Sequence, residues 1–124
     1  MDNFIDYNSN KKSLKDKTEH FVNFVSKTLG LKSSPNVVLV PNREGEMTTA
    51  LYNLENKEIK VLYKNRAFFD IARSIAHEMV HQKQHENGQH MDGSTGSPCE
   101  DEANAVAGRL IRIYSKQNKD FYEE

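Results

Sequence analysis

Residues 74–81 read Ser74-Ile75-Ala76-His77-Glu78-Met79-Val80-His81, and the spacing inside this stretch organises the rest of the chain. Residues four apart on an α-helix lie one turn above each other on the same face. His77 and His81 can therefore reach one metal ion together. Glu78 follows the first histidine and projects close to the same point, where it can take a proton from a water molecule. Phe68, Ile71, Ala72, Ile75 and Met79 recur at the three-and-four spacing of an amphipathic helix. At about 100° per residue, the two histidines fall opposite Phe68, Ala72 and Met79. The pattern predicts a helix over 66–87, with Asn65 as its N-cap and Gly88 at C′. Its back belongs in a core and its histidines face a cleft.

A metal that activates water takes three protein ligands and keeps a fourth position open. His85 continues the row after His81, but three ligands on one straight helix diverge too far to converge on one ion. His90 lies beyond Gly88 in a loop. Glu100 is better placed. It sits in Ser97-Pro98-Cys99-Glu100-Asp101-Glu102-Ala103-Asn104, which opens a second helix reaching about 116. Ala103, Ala107, Leu110, Ile111 and Tyr114 form that helix's apolar stripe. Glu100 falls within the stripe, whereas Asp101 and Glu102 point away from it. A carboxylate aimed at an interior needs a partner, because burying an unpaired charge is costly. A metal ion supplies one. The same segment also reads as a capping box, with Ser97 as the cap, Pro98 at the first helical position and Glu100 three residues on. Spacing alone leaves both readings open.

His77-Glu78-x-x-His81 is the His-Glu-x-x-His pattern of zinc-dependent peptidases. With eighteen residues between His81 and Glu100, and Asn104 four further on, the chain resembles the gluzincin metallopeptidases. The metzincin pattern would need Gly at 84 and His at 87, where this chain has Gln84 and Asn87. Glu100-x-Glu102-Ala103-Asn104-x-x-Ala107 is similar to the corresponding helix of ImmA/IrrE-type metallopeptidases. Ser74–His81 is similar to the active helix of SprT-like proteins, which use a third His. The resemblance covers about 66–114. It implies one Zn²⁺ held by His77, His81 and Glu100, Glu78 as general base, and Asn104 supporting a His ligand. Asn104 stands where many gluzincins have Asp, and the large second domain of the bigger members has no counterpart here.

The order of elements predicts an α+β fold. Leu14, Phe21, Phe24, Val25 and Leu29 mark a first helix ended by Gly30. Residues 36–40 form a short apolar strand stopped by Pro41, and 48–52 and 59–63 form two strands joined by a turn at 53–57. With the two helices already described, this resembles a minimal zincin core: a small three-stranded sheet on an active helix, with an N-terminal helix behind and a Glu-bearing helix after.

At 124 residues the chain is read as one domain, 1–124. A formal net charge of −1 without a large basic cluster gives no basis for nucleic-acid binding or an anionic membrane. No stretch reaches transmembrane length, and the first residues lack a signal-peptide layout, so an intracellular location is expected. Cys99 is the only cysteine, which precludes an internal disulfide. The expected partner is a peptide or protein substrate. The rival expectation is a metal-stapled binding or regulatory module without turnover, with Cys99 as a fourth ligand. Adjacent helical residues point about 100° apart, however, which strains joint ligation by Cys99 and Glu100. A donor for the developing oxyanion has several candidates: Tyr63, Arg66, His85, His90, Arg109, Arg112 and Tyr114. The Gly/Ser-rich segment 88–97, which joins the two motifs, is expected to border the site and to order over a substrate.

Overall fold

The computed structural model describes residues 13–45, 47–89, 97–119 and 121. In chain order they form α1 (Leu14–Leu29), β1 (Asn36–Val40), β2 (Ala50–Asn53), β3 (Glu58–Leu62), α2 (Phe68–Glu86) and α3 (Pro98–Gln117). Three helices with a three-stranded mixed sheet make this an α+β fold.

Helix α1 starts where Ser13 Oγ accepts the Asp16 N–H at 3.1 Å. It stops at Gly30, whose φ of 69° is the left-handed conformation that a residue with a Cβ resists. Strand β3 lies at the centre of the sheet, parallel to β1 and antiparallel to β2. Ile59 and Val61 are fully buried while Glu58, Lys60 and Leu62 between them are only partly so, which is the period of two of a strand with one covered face. The hairpin between β2 and β3 is closed by two asparagines. Asn53 Oδ1 accepts the Glu55 N–H and Asn56 Oδ1 accepts the Glu58 N–H. Both hairpin strands differ by one or two residues from the expected bounds. Thr48 and Thr49 precede β2, although the Thr49 carbonyl still accepts the Leu62 N–H at 2.9 Å.

Helix α2 begins two residues later than expected, and Asn65 is not its cap. The N-cap is Ala67, without a side-chain bond, while Asn65 adopts a φ of 61° in the turn before it. Asn tolerates that left-handed conformation, so its place is in the turn and not at the cap. Arg66 secures the junction instead. Its guanidinium donates to the carbonyls of Leu62 and Asp70 and to Ser74 Oγ. At the other end Gly88, with φ of 76°, turns the chain as expected, and the Gln89 N–H reaches back to the Gln84 carbonyl.

Helix α2 is packed against α1, β2, β3 and α3. Ile71, Ala72, Ile75, Ala76 and Met79 are at most 1% exposed, and so are Gln82 and Gln84. Helix α3 runs back alongside α2, with Ala103, Ala107, Leu110, Ile111 and Tyr114 buried. Towards the C-terminal end of α3, Phe21 meets Tyr114 edge-on at 4.9 Å between ring centroids and Phe68 at 6.4 Å. Aromatic pairs of this geometry fix helix positions beyond what area burial alone would do. No helix of the described residues is long and apolar enough to cross a membrane. His90 and most of the segment expected to gate the site lie outside the described residues.

Candidate metal centre

Helix α2 presents His77 and His81 one turn apart, and α3 brings Glu100 between them. His77 Nε2 lies 3.1 Å from Glu100 Oε1, and His81 Nε2 lies 2.9 Å from Glu100 Oε2. The two Nε2 atoms are 3.1 Å apart. Ligand atoms around a tetrahedral ion at 2.0–2.1 Å stand about 3.3 Å from one another. The described residues contain one such group of potential ligands, and the His77–His81–Glu100 arrangement could hold a metal ion.

Hydrogen bonding around the group determines what its atoms offer. Gln84 Nε2 donates to the Cys99 carbonyl at 2.9 Å and to Glu102 Oε1 at 2.7 Å. Both partners are acceptors, so the amide nitrogen must face them and the amide oxygen must face His81. Gln84 Oε1 is 2.8 Å from His81 Nδ1, which is thereby the protonated nitrogen. His81 Nε2 then carries a lone pair aimed at a second imidazole and at a carboxylate oxygen. Asn104 hydrogen-bonds His77 from the facing turn of α3. Burial of His77, and then the nearby His81, push its pKa below the usual histidine value, favouring the neutral ring with its own lone pair. A cation set among these atoms would be held by His81 Nε2, the Glu100 carboxylate and a neutral His77 together, and this donor set fits one.

Glu78 projects to the side of this group. Burial pushes its carboxyl up to about 7, with the neighbouring Glu100 adding to the rise, while His81 and the Tyr52 backbone N–H pull the other way. The Tyr52 N–H is free to reach Glu78 because β2 is an edge strand, paired only with β3. The base candidate is thus held by the strand that borders the site. A cleft of about 260 Å³ opens beside it, lined by Thr48, Thr49, Ala50, Arg73, Ser74, His77, Glu78 and Asn104. A larger groove of about 590 Å³ lies between α1 and β1, and none of its lining residues belongs to the ligand group. Chemistry, not size, distinguishes the smaller cleft.

The cap and the histidine contacts use different atoms of Glu100. Ser97 Oγ accepts the Glu100 N–H at 3.4 Å, while the Glu100 carboxylate is turned to the two histidines. His85 is exposed and stays out of the group. Cys99 does not join it either. Its thiol is buried next to Ser97 Oγ at 3.6 Å, as the angle between neighbouring helical residues requires. Glu102, expected to point away, reaches sideways to Gln84. Among the oxyanion candidates, Tyr114 is buried and paired with His20. Arg66 is committed to the β3–α2 junction, and Tyr63, His85, Arg109 and Arg112 do not line the cleft. Gln84 and Arg73 were not singled out by the spacing of the motif, although Arg73 continues the His81–His77 row by one more turn. No family model, curated protein or solved structure matches the chain.

Proposed function

We propose that the chain is a zinc-dependent peptide hydrolase of the minimal zincin type, with His77, His81 and Glu100 as ligands and Glu78 as general base. One observation carries this: two histidines and a carboxylate converge beside the partly buried Glu78 carboxyl, whose pKa burial raises to about 7 in the metal-free chain. Two imidazoles and one carboxylate form a donor set that suits zinc and leaves a fourth position for a reacting group. Zinc, when bound, supplies Lewis acidity, which lowers the pKa of a coordinated water towards neutrality and polarises a carbonyl. Glu78 accepts the water proton at a carboxylate oxygen and delivers it to the leaving amine nitrogen. The outer edge of β2 near Thr48–Ala50 offers backbone groups to an extended peptide.

The alternative, a metal-stapled binding or regulatory module, has no use for Glu78. A partly buried carboxyl with a raised pKa costs folding energy when ionised, and such a cost is typical of catalytic groups. Metal analysis of purified protein, followed by cleavage assays on a quenched-fluorescence peptide library with and without a chelator, tests both. One zinc per chain with chelator-sensitive cleavage supports the hydrolase. Zinc without cleavage favours the module, and absence of zinc sinks both.

Gln84 fixes the His81 tautomer, so Gln84→Leu is expected to weaken zinc binding roughly tenfold to a hundredfold. Leu retains the packing volume but leaves Nδ1 without its acceptor. Competition against a chromophoric chelator reads the change, and an unaltered zinc affinity would show that Gln84 only packs.

A further inference from the structure

Arg73 stands one turn before His77, in the row Phe69–Arg73–His77–His81, and lines the same cleft. Its guanidinium nitrogens lie 3.8 Å from the place a Cβ would occupy on Gly108, one turn beyond Asn104 on α3. With glycine there, the cation rests against bare backbone and stays open to the cleft. Arg66 at the start of the same helix is tied by three hydrogen bonds. Arg73, by contrast, has no hydrogen bond or ion pair among the described residues. Arg66 has a structural task and Arg73 has none. In the cleft lining the other formally charged side chain is Glu78, which faces the ligand group. The end of the cleft away from the ligands is therefore cationic and unpaired.

We propose that Arg73 forms a carboxylate-recognising subsite that selects substrates with an acidic group close to the bond to be cleaved. This rests on the hydrolase reading above. Arg73 and His77 are four helical positions apart, a rise of about 6 Å. An extended peptide advances about 3.3 Å per residue, so the recognised carboxylate sits one to two residues from the carbonyl held at the ligand group. It is either an Asp or Glu side chain or the C-terminal carboxylate, since a guanidinium pairs with both in the same bidentate way.

The test uses one peptide scaffold with Glu or Gln at each position flanking the cleaved bond, each made with a C-terminal acid and a C-terminal amide. Wild-type protein is expected to prefer Glu over Gln at one such position by roughly tenfold to a hundredfold, mainly in KM. Arg73→Gln should erase the preference, and Arg73→Glu should turn it towards Lys. A preference for acid over amide ends, with no Glu effect, would assign the C-terminal carboxylate as the recognised group. Calorimetric binding of the same peptides to zinc-loaded Glu78→Gln protein, with and without Arg73→Gln, gives a second readout independent of turnover. If wild type cleaves nothing but acidic peptides still bind tighter through Arg73, the subsite stands and the hydrolase reading falls. Cleavage without any acidic preference overturns the subsite and leaves the hydrolase. An equal fall in kcat for Glu and Gln peptides in Arg73→Gln also overturns it, and makes Arg73 an oxyanion donor instead. Absence of any carboxylate preference in both cleavage and binding overturns it outright.

Discussion

Glu78→Gln is expected to retain one zinc per chain and to lower peptide turnover on the order of a hundredfold or more. Gln preserves the size of the side chain and can still face the ligand group, so the loss isolates proton transfer. The same substitution has a second, opposite consequence for stability. In the metal-free protein the Glu78 carboxyl is raised from 4.5 to about 7, chiefly by burial. A folded-state pKa above the unfolded one means that folding holds the proton more tightly. Stability is therefore lost as pH rises from about 4.5 through 7, by about 3 kcal/mol in total. Gln carries no ionisable proton and escapes this loss. Metal-free Glu78→Gln should match wild type in denaturant unfolding at pH 4 and exceed it at pH 8. A stability gap that is the same at both pH values would show that Glu78 is not a buried, poised carboxyl. Equal turnover of variant and wild type on a cleaved peptide would remove it as the base.

The parts of this molecule that were legible in the sequence are those whose signals are local. Gly30, Pro41 and Gly88 end elements where their own backbone preferences dictate, and the Ile59–Val61 alternation marks a strand with one covered face. The His77–His81 pair is legible for the same reason, since the helix repeat alone puts both on one face. Glu100 was readable only as one of two possibilities, because cap and ligand share a position in the first turn of a helix. The structure separates them by using the backbone N–H for the cap and the carboxylate for the histidines. Gln84 was hidden because its partners, the Cys99 carbonyl and Glu102, lie fifteen and eighteen residues away on another helix. Glu102 was misplaced because a helical wheel gives the direction of a Cβ and not the reach of a long side chain. Arg73 escaped notice because an arginine on a polar helix face is ordinarily solvated. Only the antiparallel pairing of α2 with α3 sets it against Gly108 and inside the cleft.

Glu100→Ala is expected to cost more zinc affinity than the tenfold to hundredfold of a supporting residue such as Gln84, since it removes a ligand and not its positioner. Two neutral imidazoles would remain, with no anionic group to offset the charge of the ion. The cap is a possible confounder, because Glu100 lies in the first turn of α3 and a frayed turn would also displace it. Ser97→Ala resolves this. It deletes the oxygen that accepts the Glu100 N–H and should destabilise the protein by about 1 kcal/mol while zinc affinity stays near wild type. Glu100→Gln adds a finer distinction, since an amide keeps the size of the side chain but presents one neutral acceptor in place of an anion. Its zinc affinity should fall between that of wild type and Glu100→Ala. Zinc content and affinity of the three variants, measured beside their urea midpoints, separate ligand from cap. Full zinc affinity in Glu100→Ala would show that the carboxylate is not a ligand and leave the two histidines without a third ligand among the described residues.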